Sequence, residues 1–384
     1  MAALRGKEFL SLRPSMAWRL LALLPFILVA GLGYAFFQVV VDRHFFKFVQ
    51  YGYPFLTIVY PSILLCTGAV ILFLGYWNPL GQRLRLAAWG VIVLGFCCIG
   101  VRIYSTHIEP YRLEVVEQTI VSPKIHTPLK VVHLTDVQSA QVSEYEERVF
   151  RIIRELHPDL ILNTGDNLQP VAPATLRGEQ PKLDRLFRSV QPPLGIVAVE
   201  GNVCDGEIYA HDPGFGGQRV LADEAVLLSH GRSRLHILGL SVERSVHPDS
   251  AIDQWMAAVP PEDFTVVMGH VPDYMLETCL YPIDLCLAGH THGGQIVVPG
   301  FGPLITFSAL PRHLVGGFHP FGETYINVSK GVGAEHCLGI PSIRFFCRPD
   351  ITVFHLIPQG GAEIVEEPQK PQITLPDPVS PHLE

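Results

Sequence analysis

Residues that can bind metal ions follow directly after short apolar runs at several places in this sequence. They end or follow the stretches VVHLTD, LILNTGD, VAVEGN, VVMGH and LAGHTH. Imidazole nitrogens together with carboxylate and amide oxygens suit divalent transition metals, whereas soft-metal sites use thiolates. The residues that share this position are Asp136, Asp166, Asn202, His270 and His290, and His292 follows two residues after His290.

The apolar runs before these residues are predicted strands, because they are short and rich in β-branched side chains. Helix-period patterns lie between them, such as SEYEERVFRIIREL, in which Ser143 and Glu146 are spaced as a capping box. Strands that alternate with helices predict a layered α/β fold. In open α/β sheets, ligands bind beyond the carboxyl ends of the strands. We therefore expect the six polar residues to meet at one edge.

Taken singly, each of these residues has a simpler interpretation. An Asp or His that follows a strand is most often a turn former or a capping residue. The shared position of the five residues that end strands favours a ligand set, and glycines beside four of them allow close approach of the backbone. The combination therefore predicts a metal site, although no single residue does.

Composition divides the chain into two parts. The first hundred or so residues contain long apolar runs, and the acidic excess behind the net charge of −8 lies after them. A nucleic-acid partner is not expected, because binding to phosphate backbones requires a basic surface. The eight cysteines show no CxxC pair, so neither a disulfide framework nor a structural zinc site is indicated.

Three segments are long and apolar enough to cross a bilayer, namely Leu20–Val41, Tyr53–Trp77 and Leu86–Tyr104. Buried core helices, or a signal peptide for the first segment, are the alternatives. Basic residues are more frequent before the first segment and between the second and third than on the other side, which favours a cytoplasmic N-terminus over residues 1–19. We expect a three-span protein of the cell inner membrane, with the domain that follows on the non-cytoplasmic side.

After the membrane spans (20–104), the sequence predicts a linker over 105–128, one α/β domain over 129–358 and a disordered tail over 359–384. The tail prediction rests on its many Pro and Glu residues and its few apolar ones.

The ordered motifs resemble those of the calcineurin-like metallophosphoesterases, in particular a membrane-anchored or exported bacterial branch with a GHTHGGQ block. That family has the blocks D-x-H, G-D, G-N-H, G-H and G-H-x-H in this order. Here they read DVQ from Asp136, GD at Asp166, GNV at Asn202, GH at His270 and GHTH from His290. The resemblance implies a four-layer α/β-sandwich with two divalent metal ions (Mn, Fe or Zn).

The resemblance also implies a role for each residue. Asp166 would bridge both metals, Asp136 and His292 would hold the first metal, and Asn202, His270 and His290 the second. A bridged pair of cations activates a water molecule for in-line attack on phosphate.

Two departures from the family motifs affect the expected chemistry. Gln138 stands where the family has a metal-ligating His, so it is either a weaker oxygen ligand or only a hydrogen-bonding group. Val203 stands where the family has a His that assists the leaving group. Asp205 or Glu207 could replace that acid, or both could merely be solvated in a loop over Cys204–Gly217 that we expect to be adaptable.

The predicted function is a membrane-anchored, metal-dependent phosphoesterase that cleaves phosphodiester or pyrophosphate bonds. Its substrate would be a small molecule or a lipid-linked phosphate, with a lipid-linked or nucleotide compound favoured by the missing acid and the nearby bilayer. Asp166, Asn202 and Asp205 are the predicted catalytic residues. The alternative is a regulatory module that keeps the metal-binding fold but has weakened turnover.

Overall fold

The computed structural model describes residues 2–42, 46–76, 81–248, 251–278, 280–336 and 341–360. Most of the predicted disordered tail, residues 361–384, lies outside the described residues.

The N-terminal part consists of long apolar helices, which are α1 (Ala2–Asp42), α2 (Phe46–Pro54), α3 (Tyr60–Tyr76) and α4 (Gly81–Ile103). A π-helical turn joins α2 to α3, and another follows α4 over Tyr104–Ile108. By length and composition, the helical stretches Met16–Val40, Val49–Gly75 and Gln82–Tyr111 could each cross a membrane. The prediction of three segments that are long and apolar enough to cross a membrane is therefore confirmed.

The rest of the chain forms two sheets and a small hairpin. In chain order, the strands are β1 (Glu114–Ser122), β2 (Leu129–Leu134), β3 (Leu160–Asn163), β4 (Ile196–Val199), β5 (Gln218–Leu221), β6 (Glu224–His230), β7 (Ser233–Gly239), β8 (Phe264–Met268), β9 (Leu285–Ala288), β10 (Val297–Val298), β11 (Gly302–Pro303), β12 (Gly317–Phe321), β13 (Thr324–Val328) and β14 (Asp350–Pro358). The first sheet has the order β1-β14-β2-β3-β4-β5 and the second the order β12-β13-β9-β8-β7-β6, while β10 pairs with β11.

Helices cover the outer faces of both sheets. They are α5 (Glu144–Glu155), α6 (Leu176–Arg188), α7 (Asp205–His211), α8 (Val242–Val246), α9 (Ala251–Met256) and α10 (Met275–Thr278). The predicted capping box starts α5, since the Ser143 hydroxyl and the Glu146 carboxylate satisfy backbone N–H groups reciprocally.

The strands of each sheet alternate their side chains between two buried faces. In β2, Val131 packs into the core between the two sheets, and Val132 packs against the helices of the first sheet. Because both faces are buried, these strands appear in the sequence as continuous apolar runs. The layers are helix, sheet, sheet and helix, so the predicted four-layer α/β-sandwich is confirmed.

Two predictions about connecting segments are wrong. The expected linker over 105–128 contains β1, which pairs in parallel with β14 at the edge of the first sheet. Because β1 contains glutamates and exposed side chains, its sequence lacks the continuous apolar run that is typical of a central strand. The expected adaptable loop over Cys204–Gly217 contains α7 and a short 3-10 turn, because Asp205 anchors the start of the helix.

Candidate metal centre

The predicted ligands meet where the strands of the two sheets end. β2, β3 and β4 of the first sheet lead to Asp136, Asp166 and Asn202, and β8 and β9 of the second lead to His270 and His290. Parallel pairing of β2 with β3, of β3 with β4 and of β8 with β9 places these ends side by side.

Asp166 lies at the centre of the cluster. His270 Nε2 is 3.2 Å from Asp166 Oδ2, and ligand atoms of Asp136, Asp166 and His270 all lie within 4.8 Å of one another. The three residues are buried. Two carboxylates and an imidazole this close, without solvent, form a set that a cation would stabilise.

Asn202 and His290 form the more open side of the cluster. Asn202 Oδ1 is 2.7 Å from His270 Nε2 and 3.0 Å from His290 Nδ1. The structure therefore brings together three groups that the resemblance assigns to one metal. His292 Nε2 approaches Asp136 Oδ1 at 3.6 Å, on the side assigned to the other metal.

Gln138 is buried beside the two carboxylates. Its Nε2 donates to Glu335 Oε2 at 3.3 Å and, more weakly, to Asp166 Oδ2 at 3.5 Å. Its Oε1 is buried and has no hydrogen-bond partner among the residues that the structure describes. Because an unpartnered buried oxygen is costly, this atom fits a metal ligand. The donor set thus suits divalent cations, although the ligand roles stay predictions.

The backbone at the site is strained. Five of the proposed ligands have positive φ angles, namely Asp136 (47°), Gln138 (40°), Asp166 (55°), His290 (66°) and His292 (48°). Residues other than glycine rarely adopt this region, and such strain is typical of functional sites.

Glycines let the ligand loops approach one another closely. A Cβ on Gly201 would lie 2.1 Å from Asp166 Oδ1, and one on Gly289 would lie 2.2 Å from Asp136 Oδ2. These glycines therefore make room for the carboxylates of the neighbouring loops.

Burial and neighbouring charges shift the titration of the ligands. Burial, together with the adjacent His270, lowers the pKa of His290 to about 4. Burial and Arg344 hold the pKa of His292 well below its usual value. Both imidazoles are therefore neutral at pH 7, which is the form that binds metal.

The pKa of His270 shifts in the opposite direction. Burial alone would lower its pKa, but the Asp166 and Asp136 carboxylates outweigh burial and raise it to about 10. Burial and Asp166 in turn raise the pKa of Asp136. His270 Nδ1 lies 2.8 Å from the Thr164 carbonyl oxygen, so Nε2 faces the carboxylates. A metal ion at this position would displace the Nε2 proton.

Asp205 lies outside the cavity that contains the ligands. It is fully buried, and its carboxylate accepts hydrogen bonds from the backbone N–H groups of Asp166, Asn167 and Gly201. Its pKa is raised by burial and by Asp166. The expected acid is thus turned towards the backbone, where it fixes the loop that carries Asp166. Glu207 is exposed on α7.

Two residues of the site could not be identified from the sequence pattern that located the ligands. Glu335 lines the cavity and accepts from both Gln138 and Gln169. Arg344 is fully buried, donates to the backbone oxygens of Lys330, Gly331 and Gly333, and lies 3.5 Å from His292 Nδ1. Neither residue follows a strand, so the rule that located the ligands does not apply to them.

Comparisons with known proteins identify the family of this chain. The calcineurin-like phosphoesterase family model matches residues 129–294. The chain is 31% identical over 264 residues to the metallophosphoesterase YkuE of Bacillus subtilis, covering 66% of this chain and 88% of YkuE. It is 37% identical over 274 residues to the phosphodiesterase YaeI of Escherichia coli, covering 66% of this chain and 92% of YaeI.

A relative with lower sequence identity has a name that specifies its substrate. The UDP-2,3-diacylglucosamine pyrophosphatase LpxG of Chlamydia muridarum is 23% identical to this chain over 318 residues. The match covers 66% of this chain and 92% of LpxG.

Proposed function

Because this chain belongs to the calcineurin-like phosphoesterase family and is a phosphoester hydrolase, we propose that it cleaves phosphodiester or pyrophosphate bonds at a two-metal site while anchored to a membrane. The observation that carries the proposal is the set of metal-ligand atoms around Asp166, with the unpartnered Gln138 Oε1 among them.

The residues present fit two divalent cations. Asp166 would bridge them, Asp136, Gln138 and His292 would hold one, and Asn202, His270 and His290 would hold the other; the short distances among these side chains support this assignment. When bound, such cations lower the pKa of a shared water molecule and neutralise charge on phosphate oxygens. Nitrogen and oxygen ligands without thiolates suit Mn, Fe or Zn.

The residues of the chain itself orient the site. The Thr164 carbonyl fixes the ring of His270, and the Val203 N–H donates to Asp166 Oδ1 at 2.7 Å. Such partners of the ligands hold them in one geometry, which raises metal affinity. The Asn202 side chain is exposed, so a phosphate group can reach it from solvent.

Among the described residues of the cavity, none is well suited to protonate the leaving group in place of the missing histidine. Val203 cannot donate a side-chain proton, Asp205 is turned away, and both carboxylate oxygens of Glu335 accept hydrogen bonds. A leaving group that departs as a stable anion needs no proton. The name of LpxG, a pyrophosphatase, fits this preference, because cleavage of a pyrophosphate bond releases a phosphate anion. We favour a nucleotide or lipid-linked phosphate as the substrate class.

The second candidate is a metal-binding module with weakened turnover. Gln138 and Val203, at two positions where the family has functional histidines, favour it. The complete set of the remaining ligands around Asp166 favours the enzyme.

Hydrolysis assays on the full chain in lipid nanodiscs distinguish the two candidates. We expect Mn²⁺-stimulated, chelator-sensitive hydrolysis of bis(4-nitrophenyl) phosphate, and weaker hydrolysis of a simple alkyl phosphate monoester because its leaving group needs a proton. The Glu207→Gln variant is the matched control, since Glu207 is exposed and outside the cavity. Bound metal without turnover of either compound would overturn the enzymatic proposal in favour of the weakened module.

A further inference from the structure

The cavity that contains the metal ligands has a second, apolar wall. Its volume is about 260 Å³. Its lining includes Asp166, Asn202 and the GHTH histidines, together with the apolar side chains of Ile296, Leu304, Ile305, Phe307 and Ile343, which we call the apolar wall. Binding of a phosphate alone would leave this apolar side unused.

A membrane helix completes the same cavity. Val49, at the start of the second candidate span, lines the cavity together with residues of the α/β domain. This contact is supported by a junction at which the residues just after α4 bind to the α/β domain. There the backbone N–H of Arg344 donates to the Ser105 carbonyl oxygen at 2.9 Å. The Cys347 N–H donates to Glu109 Oε1 at 2.6 Å, and the rings of Tyr104 and Phe345 lie edge to face.

The chain segment that contributes Leu304 and Phe307 to the cavity has several exposed apolar side chains. Phe301 is 62% exposed, Phe307 49% and Leu304 44%. They belong to the segment around the β10–β11 hairpin, which is held to the junction by the pairing of Ile296 with Phe345. Clustered exposed apolar residues mark binding surfaces, and beside a membrane helix the bilayer is the surface that they fit.

We propose that this wall is a subsite for a hydrocarbon chain of a lipid substrate, whose phosphate group lies at the metal ligands. The inference rests on the proposed function and narrows its substrate class from any activated phosphate compound to a membrane lipid. The cavity can hold the phosphate and only the adjoining part of a chain, so the rest of the chain continues past Val49 into the bilayer.

The chain-length dependence of inhibition tests the proposal. We expect n-alkyl phosphonates, which cannot be hydrolysed, to inhibit the full chain in nanodiscs competitively. Each added methylene should lower the inhibition constant about fourfold until the wall is filled, because burial of a methylene from water gives that factor. In Leu304→Gln and Phe307→Gln this dependence should flatten. Both side chains are substantially exposed, so the variants should fold.

Leu227→Gln is the matched control, because Leu227 is a 43% exposed apolar residue on β6, away from the cavity lining. It should keep the chain-length dependence of the unaltered protein, which also controls for partition of the inhibitors into the bilayer. A second measurement is the ratio of kcat/KM for a lipid-linked pyrophosphate to that for bis(4-nitrophenyl) phosphate, which should fall about tenfold in Leu304→Gln and stay unchanged in Leu227→Gln.

The outcomes separate the two proposals. Equal chain-length dependence in all variants, or none in the unaltered protein, would overturn the hydrocarbon subsite while leaving hydrolysis of bis(4-nitrophenyl) phosphate as support for the proposed function. The reverse result, chain-length-dependent phosphonate binding without any turnover, would keep the subsite and overturn the enzymatic function.

Discussion

At the scale of single residues, we propose that Gln138 is a ligand of the first metal. Its buried Oε1 lacks a hydrogen-bond partner among the described residues, which is the state expected of a ligand atom before metal binding. We expect Gln138→Leu to lower metal content from two ions per chain to one, and Gln138→His to retain two with tighter binding. Metal analysis of purified protein after dialysis measures this.

Gln138→Asn is the control for polarity, since it keeps the amide but shortens its reach. If Gln138→Leu retained two tightly bound metals, Gln138 would be only a hydrogen-bonding group, which is the alternative that the sequence leaves open.

Asp205 carries a second prediction at this scale. Its carboxylate accepts three backbone N–H bonds within the loops of Asp166 and Gly201. In Asp205→Asn, an amide N–H would face one of these donors, so we expect a loss of about 2 kcal/mol in the free energy of unfolding. Thermal unfolding of the full chain in nanodiscs, with Glu207→Gln as the control on the same helix, measures the change.

If Asp205 were instead the missing acid, Asp205→Asn would leave stability unchanged and slow only the hydrolysis of substrates with poor leaving groups. That combination would contradict the positioning role.

The residues differ in how far the sequence could predict them. Asp136, Asp166 and His270 could be located because each ends an apolar strand, and strand ends follow from local pattern. The direction in which Asp205 faces depends on contacts between loops far apart in the chain. The positive φ angles at Asp166 and His290 run against local preference, so no sequence pattern indicates them.

At the scale of elements, the parallel strands explain why the ligands meet. β2, β3 and β4 run in the same direction, and so do β8 and β9, so the residues after them lie at common edges. The sequence predicted these central strands because both of their faces are buried. It missed β1, since an edge strand with Glu114 and Glu117 has one half-solvated face and resembles a linker.

Arg344 joins several elements around the site, and its removal should weaken them together. Its guanidinium bonds the carbonyls of Lys330 and Gly333 and contacts His292. Because Arg344→Leu would leave these carbonyls buried without donors, we expect it to lower the free energy of unfolding by about 3 kcal/mol or more. We also expect weaker metal binding, because His292 would lose a neighbour that restrains its ring.

Arg348→Gln is the matched control, because Arg348 is 40% exposed and pairs only at the surface with Glu114. Such a pair contributes about 1 kcal/mol or less. The measurements are thermal unfolding and metal retention of both variants. If Arg344→Leu and Arg348→Gln lowered stability and metal retention equally, Arg344 would contribute no more to the site than a surface arginine.

At the scale of the whole molecule, the proposed location rests on the basic residues near the spans. We propose that the catalytic domain lies on the non-cytoplasmic side of the inner membrane, because basic residues are more frequent at the N-terminal side of the first span. A fusion of alkaline phosphatase after Gly360 should then be active in a bacterial host, and a fusion of a cytoplasm-dependent fluorescent protein should be dark. Fusions after Pro79, between the second and third spans, should give the opposite results.

The central claim is that this fold holds two metals around Asp166 and uses them to hydrolyse a phosphate bond. Metal content and hydrolysis of bis(4-nitrophenyl) phosphate, measured on one preparation of the full chain and of Asp166→Ala, test it most directly. We predict two metals per chain with turnover in the unaltered protein, and loss of both metals with turnover lowered at least about a hundredfold in Asp166→Ala. Unchanged metal content or turnover in Asp166→Ala would contradict the account.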